Sequence, residues 1–173
     1  MTINIISGET EELLSVDELT NEFRLIQSGE KRISIIGTRN LSITHQQVVE
    51  AVASAMVNAR NTVVTSGGAS GVNFAAMRGA INSSPDLLEV VLPQTIDLQP
   101  HEVQEYIKKA KLVIEHPERK EMEFSEASRI CYNEIIDTTH QLICFLYHDS
   151  RTLLRAVDYA KLNHKIVTVF YLD

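Results

Sequence analysis

The sequence predicts an α/β protein with three layers, in which a doubly wound, mostly parallel sheet lies between helices. The main observation is that apolar runs of strand length alternate with segments of helical periodicity from residue 33 onward. These runs are almost continuously apolar, which is typical of strands that helices cover on both faces. The length of 173 residues fits one domain whose core buries about two-thirds of the unfolded chain's surface.

The strands are predicted where β-branched and other apolar residues are concentrated. In chain order they are Ile33–Ile36, Thr62–Thr65, Leu88–Leu92, Leu112–Ile114, Leu142–Leu146 and Ile166–Phe170. Helices are predicted between them because apolar residues there recur at three- and four-residue spacing, over residues 44–59, 71–82, 101–110, 123–137 and 151–162. The order of elements is therefore βαβαβ throughout.

Two of these helices carry further signals. Thr44 and Gln47 have the spacing of a capping box, which predicts the start of the first helix. Its predicted buried stripe comprises Val48, Val52, Ala55, Met56 and Ala59. The last helix is predicted to turn Leu154, Val157 and Ala160 inward.

The net charge of −7 is concentrated near the N-terminus. Residues 1–30 carry seven acidic residues and one basic residue, whereas residues 31–173 carry sixteen and fifteen. Ser15 and Glu18 have capping-box spacing and Gly29 can end a helix, so residues 1–30 are predicted to be an acidic extension with one additional N-terminal helix. The nearly neutral main domain, residues 31–173, leaves room for a local basic pocket. It argues against a broad surface for duplex DNA, which requires several phosphates to be neutralised at once.

Composition also predicts the compartment. Cys131 and Cys144 are the two cysteines, and their spacing is that of buried apolar residues rather than of a metal site. No apolar run approaches the roughly 20 residues that cross a bilayer, and no signal peptide is recognisable at residue 1. The six histidines are scattered without a close pair at helical spacing. We therefore expect a cytosolic protein with no membrane partner, no metal and no cofactor.

Three polar loops follow predicted strands of this sheet. They are Gly37–Asn40, the glycine loop Ser66–Gly71, and Tyr147–Thr152. Ligands of open parallel sheets sit beyond the carboxyl ends of the strands, so these loops are predicted to form one pocket. In the glycine loop, three glycines lead into a helix whose first N–H groups and positive dipole end suit a phosphate or a carboxylate.

Each loop also has a purely structural explanation. Gly37 is equally explained as a turn glycine, and Arg39 as a solvated surface charge. The glycines at 67, 68 and 71 are explained by a tight turn and close helix packing, and Ser150–Thr152 by an N-cap and first turn. Arg151 and Arg155 lie one helical turn apart, and two interpretations of them stay open. In one they reach a phosphate, and in the other they pair with Asp149 or Asp158.

Several common motifs are excluded by spacing. The glycine loop is not a Walker loop, because no Gly-Lys-Ser/Thr follows, and it lacks the Gly-x-Gly-x-x-Gly pattern of dinucleotide folds. No Gly-x-Ser-x-Gly nucleophile elbow is present. A nucleotide triphosphatase, a dinucleotide-dependent dehydrogenase and an α/β-hydrolase are therefore not expected.

The first two loops resemble motifs of the DNA-processing protein A family, also called DprA or Smf. Gly37-Thr38-Arg39 is similar to the family's Gly-Ser-Arg. Residues 66–76 read Ser-Gly-Gly-Ala-Ser-Gly-Val-Asn-Phe-Ala-Ala, where the family has Ser-Gly-Gly-Ala-x-Gly-Val/Ile-Asp-x-Ala-Ala. Arg129–Asp137, with Asn133, is similar to the family's Arg-Asn-x-x-Ile segment. The resemblance covers residues 31–171. The DprA family is part of the wider SLOG superfamily, to which the LOG phosphoribohydrolases also belong.

This resemblance implies a Rossmann-like fold that binds a nucleotide or single-stranded DNA, as a homodimer or a higher homo-oligomer. DprA-like proteins act in DNA recombination by helping to load a RecA-type recombinase onto single strands, so such a recombinase is a predicted partner. No catalytic residue is predicted. The predicted phosphate-binding residues are Gly37, Thr38, Arg39, Ser66, Gly67, Gly68, Ala69, Ser70, Gly71, Asn73, Arg129, Asn133, Ser150, Arg151 and Thr152.

The sequence departs from the family patterns at three positions. Asn73 stands where the family has Asp, and Tyr132 stands where it has Arg. Arg155 occupies the position of the glutamate that serves glycosidic cleavage in LOG enzymes. Because a permanently charged guanidinium cannot do a carboxylate's work, LOG-type hydrolysis is not expected. The alternative is an enzyme that acts on a nucleoside monophosphate through other residues, such as Asp149 or Glu134.

Overall fold

A seven-stranded sheet forms the centre of the protein in a computed structural model that describes residues 2–6, 31–68 and 70–173. The strands are β1 (Thr2–Ile6), β2 (Arg32–Gly37), β3 (Thr62–Ser66), β4 (Leu88–Val91), β5 (Leu112–Ile114), β6 (Gln141–Leu146) and β7 (Ile166–Tyr171). Their order across the sheet is β1-β7-β6-β2-β3-β4-β5. Strands β2 to β7 run parallel, and β1 pairs with β7 in the antiparallel sense. The predicted Rossmann-like, mostly parallel sheet is confirmed.

Helices cover both faces of this sheet. Those of the described residues are α1 (Ile43–Asn58), α2 (Gly71–Ser83), α3 (His101–Ile107), α4 (Phe124–Asp137) and α5 (Arg151–Leu162). Single turns of 3-10 helix lie at Pro85–Leu87, Ile96–Leu98 and Pro117–Arg119. Within the described part of the chain, no helix is long and apolar enough to cross a membrane. The predicted helix near residues 15–29 lies outside the described residues.

The core divides into two apolar layers because successive residues of a strand point to opposite faces. In β6, Ile143 and Phe145 pack with α1, α2 and α3, whereas Leu142, Cys144 and Leu146 pack with α4 and α5. Both faces of the central strands are therefore buried, which explains their almost continuous apolar sequence.

The start of α1 differs from its prediction. Ser42, not Thr44, caps the helix, and its Oγ accepts a hydrogen bond from the backbone N–H of His45 at 3.2 Å. The buried positions are Val49, Ala53 and Val57, each one residue after a position of the predicted stripe. Val48, Val52 and Met56 pack at the edge of that face. The capping-box prediction was wrong because Ser42 and Thr44, both of residue types that cap helices, lie two positions apart at the start of this helix.

The two edge strands also depart from the prediction. β1 was not predicted, because its five residues belong to a segment that its acidic composition marked as an extension. The division at residue 30 stays a prediction. At the opposite edge, Leu112 and Ile114 of β5 are exposed among the described residues, unlike the residues of the central strands.

An ion pair spans the amino ends of the central strands. The Arg32 guanidinium donates to both carboxylate oxygens of Glu89, at 2.8 and 2.6 Å, so the pair joins β2 to β4 across β3. Glu89 is buried and the remaining Arg32 Nε–H donates to the Thr138 carbonyl at 2.9 Å. The charges at this end of the sheet are therefore satisfied within the protein.

The order of the strands in the sheet predicts a ligand site at the carboxyl end of β2. From β2 the chain proceeds outward through β3, β4 and β5, and then returns to β6 on the other side of β2. The strand order thus reverses between β2 and β6. Helices on either side of such a point diverge and leave a crevice at the carboxyl ends of the two strands.

Candidate functional site

The three predicted loops lie side by side at the carboxyl edge of the sheet. The Thr38 N–H donates to the Phe145 carbonyl near the end of β6, at 2.9 Å. The Thr38 carbonyl in turn accepts from the Val72 N–H in the first turn of α2, also at 2.9 Å. Thr38 therefore links the loop after β2 to the end of β6 and to the helix that follows the glycine loop.

Two glycines permit this close approach. Gly71 has a φ of 78°, and a Cβ there would collide with the Thr38 carbonyl oxygen and the backbone of Arg39. A Cβ at Gly37 would collide with the Phe145 carbonyl oxygen and the Val72 side chain. Gly67 is packed against Leu92 and Gln99. These positions thus have a structural role, whatever binds beside them.

We predict that Gly71→Ala lowers the free energy of unfolding by about 2 kcal/mol or more. The added methyl group meets backbone rather than a movable side chain, and alanine is strained at positive φ. Urea titration monitored by circular dichroism measures this change. Ser70→Ala is the matched control, because Ser70 is exposed and its side chain makes no capping hydrogen bond. Equal stability of the two variants would contradict the packing role.

A cavity of about 450 Å³ opens at the switch point between β2 and β6. The loop after β2, α4 and the start of α5 form its walls. Six of the predicted residues line it, namely Gly37, Thr38, Arg39, Ser150, Arg151 and Thr152, together with Ser125, Ser128, Tyr132, Asp149 and Leu153. The residues of the glycine loop border this region through Gly71 but are not part of the cavity lining.

A second cavity, of about 340 Å³, lies between α4 and α5. It contains the predicted Arg129 and Asn133, and it is completed by Tyr132, Thr152, Arg155, Ala156 and Tyr159. Tyr132 and Thr152 line both cavities, so the two spaces adjoin. Sequence reasoning did not select Tyr132 and Tyr159 as site residues. The signal for Tyr159 was its spacing of four from Arg155, which places both on one face of the helix.

Two groups of arginines can be distinguished in the described domain, and Arg60, at the opposite end of the sheet from these cavities, is without an ion pair like the arginines around them. Arg32, Arg78 and Arg119 form ion pairs with carboxylates. Arg39, Arg129, Arg151 and Arg155 form none with any described residue, and each lines one of the two cavities. Asp149 is the one acidic residue among the described residues that line either cavity. The cavities therefore concentrate unneutralised positive charge in a domain that is nearly neutral as a whole.

Arg39 is positioned by an aromatic ring. Its guanidinium lies 4.5 Å from the ring centroid of Phe124, the first residue of α4. Such a contact holds the guanidinium in place without neutralising its charge. The donors of Arg39 stay available to an anionic ligand.

Asn73 is buried beneath the glycine loop. Its Nδ2 donates to the Gly67 carbonyl at 3.4 Å, a bond that an ionised aspartate could not make. Its Oδ1 is buried without a hydrogen-bond partner among the described residues. Burial raises the pKa of the neighbouring Tyr132, although a hydrogen bond with Asn73 acts in the opposite direction. The Tyr132 phenol is therefore neutral at physiological pH.

Ser66 points into the core rather than toward the cavities. It is buried, and its Oγ lies 3.6 Å from the Cys131 Sγ. Burial raises the pKa of the Cys131 thiol to about 12, so this cysteine is not a thiolate nucleophile. The predicted ligand role of Ser66 is consequently limited to its backbone. Ala69 lies outside the described residues, while Gly68 and Ser70 remain accessible.

The two carboxylates considered for an enzyme have different surroundings. Glu134 is held by the Arg119 guanidinium, with one hydrogen bond at 3.0 Å, and its Oε2 lies 3.1 Å from the His116 Nε2. Asp149 instead lines the first cavity. Among the described residues, no three histidine, cysteine or acidic side chains are grouped as they would be to hold a metal ion.

Solved structures share this fold. DNA processing protein A from Helicobacter pylori, studied for its single-stranded DNA binding mode, aligns with a TM-score of 0.66 and 19% identity over 80% of this chain. The alignment covers 64% of that protein, so this chain corresponds to less than two-thirds of its length. The molybdenum cofactor carrier protein from Chlamydomonas reinhardtii aligns with a TM-score of 0.58 and 16% identity, over 80% of this chain and 74% of the other. At such identities the similarity shows the fold alone.

Sequence comparison identifies the family. Curated protein sequences gave no match to this chain. The family model described as DNA recombination-mediator protein A matches residues 22–136, which include β2 to β5 and almost all of α4. This range is more than half of the chain and contains the first two loops of the site. The chain belongs to the DNA recombination-mediator protein A family.

Proposed function

We propose that this protein binds single-stranded DNA or a nucleotide through phosphate groups held at the carboxyl ends of β2, β3 and β6. The observation that carries the proposal is the placement of Arg39, Arg129, Arg151 and Arg155 around two adjoining cavities, where no carboxylate of the described residues pairs with them. Arginine recognises phosphate through charge-assisted hydrogen bonds in a planar fork. The single-stranded DNA binding named for the H. pylori relative supports this ligand class.

Backbone groups supply the rest of the proposed phosphate site. The first N–H groups of α2 and α5 have no acceptor within their own helices, and both helix dipoles direct positive charge toward the loops. The Ser70 side chain makes no capping bond at α2, and Ser150 makes none at α5. The Val72 N–H already donates to the Thr38 carbonyl and the Arg151 N–H to the Asp149 carbonyl. An oxyanion placed between these helix ends and Arg39 would accept hydrogen bonds from the remaining N–H groups of the two first turns.

The wider biological role is part of the same proposal. Family membership supports a role as a recombination mediator that delivers single strands to a RecA-type recombinase. We also expect self-association, as a homodimer or a higher homo-oligomer. The unpaired cysteines Cys131 and Cys144 fit a cytosolic location, where thiols stay reduced.

An enzyme acting on a nucleoside monophosphate is the second candidate, and the position of Asp149 favours it. That carboxylate faces the first cavity beside Arg39 and Arg151. Among the described residues, Asp149 is the one carboxylate in this lining. Binding is the better account, since nucleoside cleavage requires proton transfer or stabilisation of a developing cation, and the arginines of the lining favour an anion instead. Product formation from nucleoside monophosphates would reverse this order.

Binding and its salt dependence test the proposal. We expect fluorescently labelled oligothymidine to bind, with log Kd rising linearly with log salt at about 0.7 per phosphate contacted. Thermal unfolding should show stabilisation, because a ligand at 100 times its Kd adds about 2.7 kcal/mol to the free energy of unfolding. Failure of both oligothymidine and thymidine nucleotides to bind at low salt would refute the proposal. Binding that ignores salt would exclude the arginines as phosphate contacts.

A further inference from the structure

We propose that the cavity between α4 and α5 is a second phosphate subsite, which selects ligands with two phosphates linked through a sugar. It rests on the proposed function, which places a first phosphate beside Arg39 and Arg151. The second phosphate would lie against Arg129 and Arg155. A dinucleotide or a single strand would then bind more tightly than a mononucleotide.

The two subsites adjoin. Tyr132 from α4 and Thr152 from α5 belong to both linings. Tyr132 is 7% exposed and forms the floor of this junction, whereas Thr152 is exposed. A ligand that fills the first cavity can therefore continue into the second along the surface.

Helical spacing sets the separation of the two positions on α5 that carry the arginines. Arg151 and Arg155 are four residues apart on α5, so they lie on one face with a rise of about 6 Å between their backbones. This separation exceeds that of the two phosphorus atoms of a diphosphate, which share one bridging oxygen. It suits phosphates separated by a sugar, so we favour a phosphodiester ligand over a nucleoside diphosphate.

The second cavity has the charge that a phosphate requires. Arg129 and Arg155 approach it from opposite helices, and neither has an ion pair among the described residues. Asn133 adds amide donors to the same wall. None of the described residues that line this cavity is acidic.

A carboxylate lies beyond Tyr159, one of the residues that line this cavity. The Tyr159 hydroxyl donates to the Asp137 carboxylate at 2.9 Å, which ties α5 to the end of α4. That hydrogen bond raises the pKa of Tyr159, so the phenol stays neutral. A negatively charged ligand would end or turn before Asp137, because like charges repel.

Arg155→Gln tests the subsite. We expect this variant to bind a 5′-phosphorylated thymidine dinucleotide about tenfold more weakly than the unmodified protein, while its affinity for thymidine monophosphate changes less than twofold. The salt slope for oligothymidine should fall by about 0.7, the value for one lost phosphate contact. Arg155→Lys should retain most of the dinucleotide affinity, because the positive charge is kept.

Arg60→Gln is the matched control. Arg60 is exposed and has no ion pair among the described residues, but it lies between α1 and β3, at the opposite end of the sheet. It should leave both affinities unchanged. Thymidine diphosphate is the third ligand, and tighter binding of it than of the dinucleotide would overturn the phosphodiester assignment.

The outcomes separate the two proposals. If the unmodified protein binds both thymidine ligands and Arg155→Gln weakens neither, or weakens both equally, the second subsite is wrong and the proposed function stands. If the unmodified protein binds neither ligand nor oligothymidine, both proposals are wrong. Arg155 is exposed, so we expect the variant to fold, and its circular dichroism spectrum and melting temperature verify this.

Discussion

Gly68→Asp is expected to lower the affinity for a phosphate ligand by more than about 100-fold. Gly68 is half-buried in the glycine loop, and a Cβ built there comes no closer than 3.8 Å to its neighbours. The loop therefore has space for the new side chain. A carboxylate about 5 Å from a phosphate opposes it by on the order of 3 kcal/mol at an effective dielectric constant of about 20, which corresponds to a factor above 100.

The matched control is Gly68→Asn. Asparagine has nearly the same shape as aspartate and imposes the same backbone strain, but it carries no charge. We expect Gly68→Asn to bind oligothymidine within about tenfold of the unmodified protein, since only electrostatic repulsion separates the two variants. Fluorescence anisotropy at low salt measures both affinities. Equal binding by the two variants would show that no phosphate lies near the glycine loop, and the site would then consist of the two cavities alone.

Phe145→Ala is expected to lower the free energy of unfolding by about 3–5 kcal/mol. Phe145 is fully buried in β6 and stacks on Phe170, with ring centroids 4.6 Å apart. Its removal leaves a cavity in the layer between the sheet and α1, α2 and α3. For a protein of this size, the melting temperature should fall by about 10 °C.

Phe124→Ala provides the comparison, because its ring is 39% exposed and contacts the Arg39 guanidinium. Its loss should cost no more than about 1 kcal/mol. Chemical denaturation measures both variants, and an unchanged m-value would confirm that the comparison concerns stability rather than the denatured state. A cost below about 1.5 kcal/mol for Phe145→Ala would contradict the tight packing of this layer.

The elements of the main domain could be predicted because each is encoded by neighbouring residues. The six parallel strands and five helices of residues 31–173 occur where the apolar pattern placed them, and most ends agree within one residue. Helix α3 is the exception, since it ends at Ile107 rather than at residue 110. The residue that caps α1 was predicted wrongly because a cap depends on competition between nearby polar residues. Strand β1 was missed for a different reason. Strand β1 depends on pairing with β7, which is distant in the sequence.

The loops of the candidate site were also readable from local sequence. Gly37, Gly71 and Arg39 stood out through their positions after predicted strands. Their roles were not readable: the structure shows that Gly37 and Gly71 allow backbone segments to touch, while Arg39 stacks on Phe124. Tyr132 was seen only as a departure from the family pattern, yet it forms the junction of the two cavities.

By itself, the sequence determined the order of strands and helices, the positions of three polar loops and the family. Only the tertiary structure decided which arginines are neutralised. Arg32 pairs with Glu89 and Arg119 with Glu134, whereas Arg129 and Arg155 line a cavity and pair with no carboxylate in the described part of the chain. The reason is physical: an apolar period is a property of adjacent residues, whereas an ion pair requires two side chains within about 4 Å, which folding alone brings together across 57 residues in the case of Arg32 and Glu89.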